Sequence, residues 1–206
     1  MANTNYTTYN NFETGAIGHF DATDDVDGRL SYAHYTDLAR VPGLAMPYRG
    51  AYCLRVNLAG MANANATLTE TGSWDVTTAT EDIYIRFKLW ISTDIVMANN
   101  DEFGVCVLSS AAANEAGVWI KYTTAAGYVI GVGKTTGTAS TSFTLGQWHD
   151  VEMYFNPAAG TGTIDWWLDG TALTQVTGLT DLTTTYGSVG VFEQDAGTTA
   201  GTVLID

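Results

Sequence analysis

The chain has 206 residues, with 22 acidic side chains against 8 basic ones and a formal net charge of −14. So acidic a surface repels phosphate backbones and anionic lipid, which excludes nucleic acid and membrane as expected partners. Hydrophobic content of 46% excludes disorder, and the length suits one domain over residues 1–206 that needs no disulfide or metal staple. Thr and Gly are frequent while Lys, Glu and Leu are scarce, a balance that favours strands and turns over helices. Neither a basic segment nor an apolar run opens the chain, so no signal peptide is expected. No apolar stretch approaches the ~18 residues of a spanning helix. Three locations stay open: inside a cell, outside by release of an assembled particle, or outside after removal of a leader.

The first notable stretch is a dense acidic loop, Asp21 to Gly28. Asp25 and Asp27, just before Gly28, offer oxygen ligands for Ca²⁺, and a polar turn is the alternative. An EF-hand is excluded, because its first and twelfth positions would fall on Thr23 and His34. Residues 37–46 have room for one helical turn. Gly50 to Leu58 then alternates Tyr52, Leu54, Val56 and Leu58 against Cys53, Arg55 and Asn57. The clearest strand runs from Glu81 to Ile91. Ile83, Ile85, Phe87, Leu89 and Ile91 share one face, and Tyr84, Arg86, Lys88 and Trp90 the other, which predicts a central antiparallel strand with one face on the core.

Phe103, Val105 and Val107 continue the period of two, as do Val118, Ile120 and Tyr122, then Tyr128, Ile130 and Val132. Gly146 to Gly170 reads as a hairpin. Val151, Met153 and Phe155 alternate with Asp150, Glu152 and Tyr154, Asn156-Pro157 opens a loop, and Asp169-Gly170 closes the second strand with a tight turn. Val176, Val189 to Phe192 and a terminal strand ending at Asp206 complete the series. About a dozen short strands spaced by turns predict an all-β fold, a two-sheet antiparallel jelly-roll sandwich. Cys53 and Cys106 both fall opposite the apolar set. They pair only if their strands are neighbours, and two ordinary strand thiols are the alternative.

Tyr84, Trp90, Trp119, Tyr154 and Trp167 form an outward aromatic set among Arg86, Lys88, Lys121, Asp150 and Glu152. Sugar rings stack on such faces while charged neighbours bond their hydroxyls. A subunit interface or cover by loops accounts for the same residues. Asp150 and Glu152 alternate on one face, as the carboxylates of a glycosidase would, but lack a third member. Ion pairs to Arg55, Arg86 or Lys88 across strands are the other reading. No nucleophile-elbow sequence is present.

Several of these segments resemble a known superfamily. Phe12-Glu13-Thr14-Gly15, Gly50 to Val56, Glu81 to Phe87, Gln147 to Glu152 and Trp166 to Gly170 are similar, in order, to the motifs of concanavalin A-like, laminin-G-like jelly rolls. That fold hosts lectins, glycosidases, lyases, adhesion modules and virion proteins, so it implies no single activity. In related carbohydrate-binding sandwiches, residues placed like Glu13 and Asp206 hold a structural Ca²⁺; no other cofactor is implied. Alginate-lyase-like members carry an Arg-rich strand, a Gln-x-His pair and a Tyr-rich strand. Gln147 and His149 supply the pair, but His149 alternates with core residues and the Arg-rich strand is missing. Short Thr/Gly-rich jelly rolls of this kind resemble those on phage virions. That resemblance implies a non-enzymatic virion surface protein, a capsid decoration or appendage with glycan adhesion as an added role. Capsid or other virion proteins, further copies of the chain and a surface glycan would be its partners. The alternatives are a secreted carbohydrate-binding module or lectin, and then a polysaccharide hydrolase or lyase.

Overall fold

The computed structural model describes residues 12, 20, 22–25, 28–59, 65–76, 82–110, 114–134, 139–157, 161–179, 184–192, 195 and 197–206. Their strands, numbered along the chain, make two antiparallel sheets. The seven-stranded sheet runs β1 (Ala22–Asp25), β4 (Ala66–Val76), β14 (Thr184–Phe192), β6 (Glu102–Ser109), β7 (Asn114–Thr123), β8 (Gly127–Gly133), β9 (Ala139–Ser142). The eight-stranded sheet runs β12 (Thr171–Ala172), β11 (Gly162–Leu168), β10 (His149–Asn156), β5 (Ile83–Ile91), β15 (Thr202–Ile205), β3 (Tyr52–Asn57), β2 (Leu30–His34), with β13 (Val176–Leu179) also paired to β11. The one described helix, α1, is a single turn at Tyr35–Leu38 that starts two residues before the expected segment.

The period of two explains the core. Ile85, Phe87, Leu89 and Ile91 of β5 and Val151, Met153 and Phe155 of β10 face Leu68, Val118, Ile120, Ile130 and Val191 of the other sheet in one apolar cluster. Each side chain buried there contributes about 1.5–3 kcal/mol. The expected hairpin forms between β10 and β11, with Val151 opposite Leu168 and Phe155 opposite Ile164. Asp169 and Gly170 take φ of 52° and 76° in the two-residue link between β11 and β12, a turn of the mirror-image type that matches strand twist.

One strand departs from its simple alternation. Gly104 pairs with Trp119 and Cys106 with Val118, so Val105 is an extra residue in β6. This bulge reverses the phase, as an inserted residue must. Phe103 and Val105 face the core as expected, but Cys106 and Leu108 follow them inward in place of Val107. Cys53 and Cys106 thus lie in different sheets, and both are free thiols.

A smaller cluster covers part of the eight-stranded sheet's outer face. Ala33, Leu38, Cys53, Trp90 and Leu204 are buried together beneath α1 and the segment after it, with Leu44, Ala45 and Trp148 against them. Trp148 holds that segment down by donating to the Met46 carbonyl at 3.0 Å and meeting Tyr48 edge-on.

Candidate functional site

The remaining outer face of the eight-stranded sheet carries most of the anticipated binding residues. Core side chains take the odd-numbered positions of β5 and β10, so Tyr84, Arg86 and Lys88 project outward beside Asp150, Glu152 and Tyr154. Register sets the pairs directly opposite: Tyr84 with Tyr154, Arg86 with Glu152, Lys88 with Asp150. Trp167 lies one strand further, opposite Glu152 on β11.

These groups form one polar network. Arg86 grips Asp150 through Nε at 3.1 Å and a terminal nitrogen at 2.5 Å, and Lys88 Nζ approaches the same carboxylate at 2.9 Å. Arg86 Nε also lies 3.8 Å from Glu152 Oε1. The bond from Arg86 holds the Asp150 carboxyl below the usual carboxylate range, with Lys88 adding to the effect and burial opposing it. Arg86 is 54% exposed, so water screens the pair and its worth in stability is at most about 1 kcal/mol. Its value is positional: two cations fix one carboxylate. Tyr84 donates its hydroxyl to Glu152, and burial together with that bond pushes the phenol up to about 12. Tyr154 donates to Asp82, which pushes it to about 12 as well. Both tyrosines are therefore neutral donors rather than bases at ordinary pH. Gln175 bonds Asp165 at 2.6 Å, and Lys88 Nζ sits 4.4 Å from the Tyr48 ring centre. Tyr48 arrives from the segment after α1, and nothing in its local sequence signals that contact.

Two anticipated residues do not belong to this face. Trp90 points outward from β5 but is 2% exposed, because α1 and its following segment cover it. Trp119 lies in the other sheet and is 1% exposed. It packs where Gly104 and Gly117 lack side chains, and its Nε1 donates to Gly133 O at 3.0 Å. Alternation predicts which side of a strand a residue faces; it does not say which sheet holds the strand or what lies on top.

Gln147 and His149 make no exposed pair. His149 is 3% exposed and packs at a tilt against the Phe143 ring, their centres 4.5 Å apart. Its Nδ1 is 2.7 Å from Asp169 Oδ2 and its Nε2 is 2.9 Å from Thr144 O. Nδ1 thus ties the Asp169-Gly170 turn to the sheet, while Nε2 is engaged by the segment before β10, with the Gln147 amide nitrogen also 3.3 Å from it.

The Ca²⁺ expectations fare unevenly. Glu13 and Asp27 lie outside the described residues. Asp25 accepts from Arg29 N at 2.6 Å and Leu30 N at 3.1 Å, one bond to each oxygen, so it caps the turn into β2. The Asp206 carboxylate accepts from Arg49 N at 2.8 Å. Among the described residues no three His, Cys, Asp or Glu side chains are grouped to hold a metal.

Neither a protein-family model nor a curated protein sequence matches the chain. Solved structures do. A GH131 β-glucanase catalytic domain from Podospora anserina superposes with a TM-score of 0.55 at 15% identity, over 91% of this chain and 83% of that one. The marine PL7 alginate lyase AlyA1 from Zobellia galactanivorans gives 0.52 at 10% identity, over 86% and 91%. The carbohydrate recognition domain of Emp47p gives 0.51 at 7%, over 91% of each chain. The fold is therefore a two-sheet jelly-roll sandwich of the concanavalin A-like kind. These likenesses also correct the expectation of a non-enzymatic virion surface protein. The structures that share the architecture include a glucanase catalytic domain and an alginate lyase, and no comparison links the chain to a particle.

Proposed function

We propose that the chain is a polysaccharide-active jelly roll that engages its glycan on the outward face of β5, β10 and β11. The observation that carries this reading is the open aromatic row of Tyr84, Tyr154 and Trp167, set around the Arg86–Asp150–Lys88 and Tyr84–Glu152 contacts. Tyr84 is 46% exposed. Aromatic faces supply stacking area for sugar rings, and charged groups already held in place bond hydroxyls with little further ordering. A glucanase catalytic domain, an alginate lyase and a carbohydrate recognition domain with the same architecture support a glycan as the partner. Affinity electrophoresis through gels containing neutral and acidic polysaccharides tests this. Retardation by at least one polymer is expected, with loss in both Trp167→Ala and Tyr84→Ala. Unretarded migration in every gel, or full retardation of both variants, removes the reading.

A second reading, glycoside hydrolysis, has one observation in its favour. Asp150 and Glu152 project from the same face of one strand, and the cations keep Asp150 ionised while Glu152 sits against a neutral phenol. Paired carboxylates in unlike surroundings are what an acid and its partner need. Release of reducing ends by the wild type, lost in Glu152→Gln while gel retardation persists, establishes hydrolysis. The buried His149 offers no base to a lyase mechanism of the Gln-x-His kind.

A further inference from the structure

The opposite edge of the same outer face holds a cavity that this network does not touch. It encloses about 350 Å³ between the end of β3, the start of β15, the Val41–Leu44 segment and the Thr93-Asp94 turn. Ligand pockets run from about 300 to 1,000 Å³, so this one has room for a single sugar ring. Arg55, Asn57, Thr202 and Asp94 give it polar walls, and Val41 and Leu44 give it an apolar one.

The charge balance here is unusual for so acidic a chain. Of its 8 basic residues, Arg86, Lys88, Lys121 and Lys134 are engaged in ion pairs. Arg55 and Arg29 are in none of the described ion pairs, and the Nε of each is shielded from water with no hydrogen-bond acceptor. The two are neighbours. Leu54 and Val56 face the core, so Arg55 and Asn57 face out, and the backbone bond from Asn57 N to Arg29 O sets Arg29 beside Asn57. Two arginines that join none of the described ion pairs thus sit on adjacent segments, Arg29 opposite Asn57 and Arg55 opposite Ser31, in a protein of net charge −14. Leaving a buried donor unpaired is costly, and a guanidinium matches the planar oxygens of a carboxylate or the oxygens of a sulfate better than any other side chain does.

We infer that the Arg55 cavity, flanked by Arg29, is a subsite for one oxyanion-bearing sugar residue, its anion a carboxylate or a sulfate ester. The anion meets Arg55, the ring's hydroxyls meet Asn57 and Thr202, and its apolar face meets Val41 and Leu44. Asp94 lines the cavity without pairing to Arg55, so it repels the anion and weakens binding. That the anion is carried on a sugar rests on the proposed polysaccharide function; the anion site itself does not.

Isotope-labelled full-length protein titrated with glucuronate, a monosaccharide sulfate, inorganic sulfate and glucose provides the test, read by amide shifts. Saturable shifts at Gly43, Asn57 and Thr202 are expected with an anionic sugar and not with glucose, and the saturating arm identifies carboxylate or sulfate. Arg55→Gln weakens this about tenfold or more, and Asp94→Asn tightens it. Lys121→Gln, which makes the same charge change on the other sheet, leaves it unchanged. No saturation by any anion, or unchanged affinity in an Arg55→Gln protein with wild-type near-ultraviolet dichroism, overturns the inference. Should Arg55→Gln fail to fold, the wild-type shift map decides, and shifts confined to β5 and β10 refute the site. If inorganic sulfate saturates the cavity while no polysaccharide retards the protein, the anion site stands and the polysaccharide reading falls.

Discussion

Gly190→Ala tests the pairing of β4 with β14, on which the seven-stranded sheet depends. Gly190 takes φ of +134°, and a methyl group built on it lies 2.2 Å from Ala66 O and 3.0 Å from Thr67 Cα. Both atoms belong to the backbone of β4, so no rotamer change relieves the clash; the strands have to part. Their parting disturbs Ala66 and Leu68, both fully buried. The backbone conformation alone costs about 1–3 kcal/mol for a residue bearing Cβ. Forcing a methyl into a filled space adds about 1–3 kcal/mol. The sum of about 2–6 kcal/mol is a large part of the ~5–15 kcal/mol that holds a domain together. Gly170→Ala is the matched control, since Gly170 has φ of +76° but open space around its Cβ position, and it costs only about 1–2 kcal/mol. Urea unfolding followed by tryptophan fluorescence measures both. If Gly190→Ala costs no more than Gly170→Ala, the close approach of β4 and β14 is wrong.

Leu89→Ala in the centre of β5 costs about 2–5 kcal/mol in the same assay, whereas Tyr84→Ala, on the opposite face, stays within about 0.5 kcal/mol; equal losses contradict the assignment of faces. The depressed pKa of Asp150 sets a pH dependence. Its contribution to stability is complete above the unfolded carboxyl value of about 3.9 and is lost as pH falls through the lower folded value. Asp150→Asn therefore removes part of the acid-side decline, and an unaltered profile of stability against pH argues against the Arg86–Asp150 contact. Burial pushes both thiols up to about 12, so Cys53 and Cys106 resist thiol reagents at pH 8 until the protein unfolds. Labelling of the native protein at the rate of free cysteine, or a disulfide in its peptide map, refutes their placement in separate sheets.

Local chemistry carried the strands and turns. Strict alternation in Ile83–Ile91 and His149–Asn156, together with Asp169-Gly170, was enough to assign the central strands, their inward faces and one tight turn. Most of the outward polar set followed from the same alternation, because a period of two is a property of the backbone and needs no partner. What assembly decided are the places where distant segments meet. The segment after α1 buries Trp90, the bulge at Val105 turns Cys106 inward, and Trp119 sinks against glycines of two strands. Arg55 and Arg29 each bury an Nε without an acceptor, and Arg55 shares its cavity with the distant Val41–Leu44 segment. A sequence states which side of its own strand each residue occupies; which side chains share a surface, and which of them water reaches, depends on contacts between residues far apart in the chain.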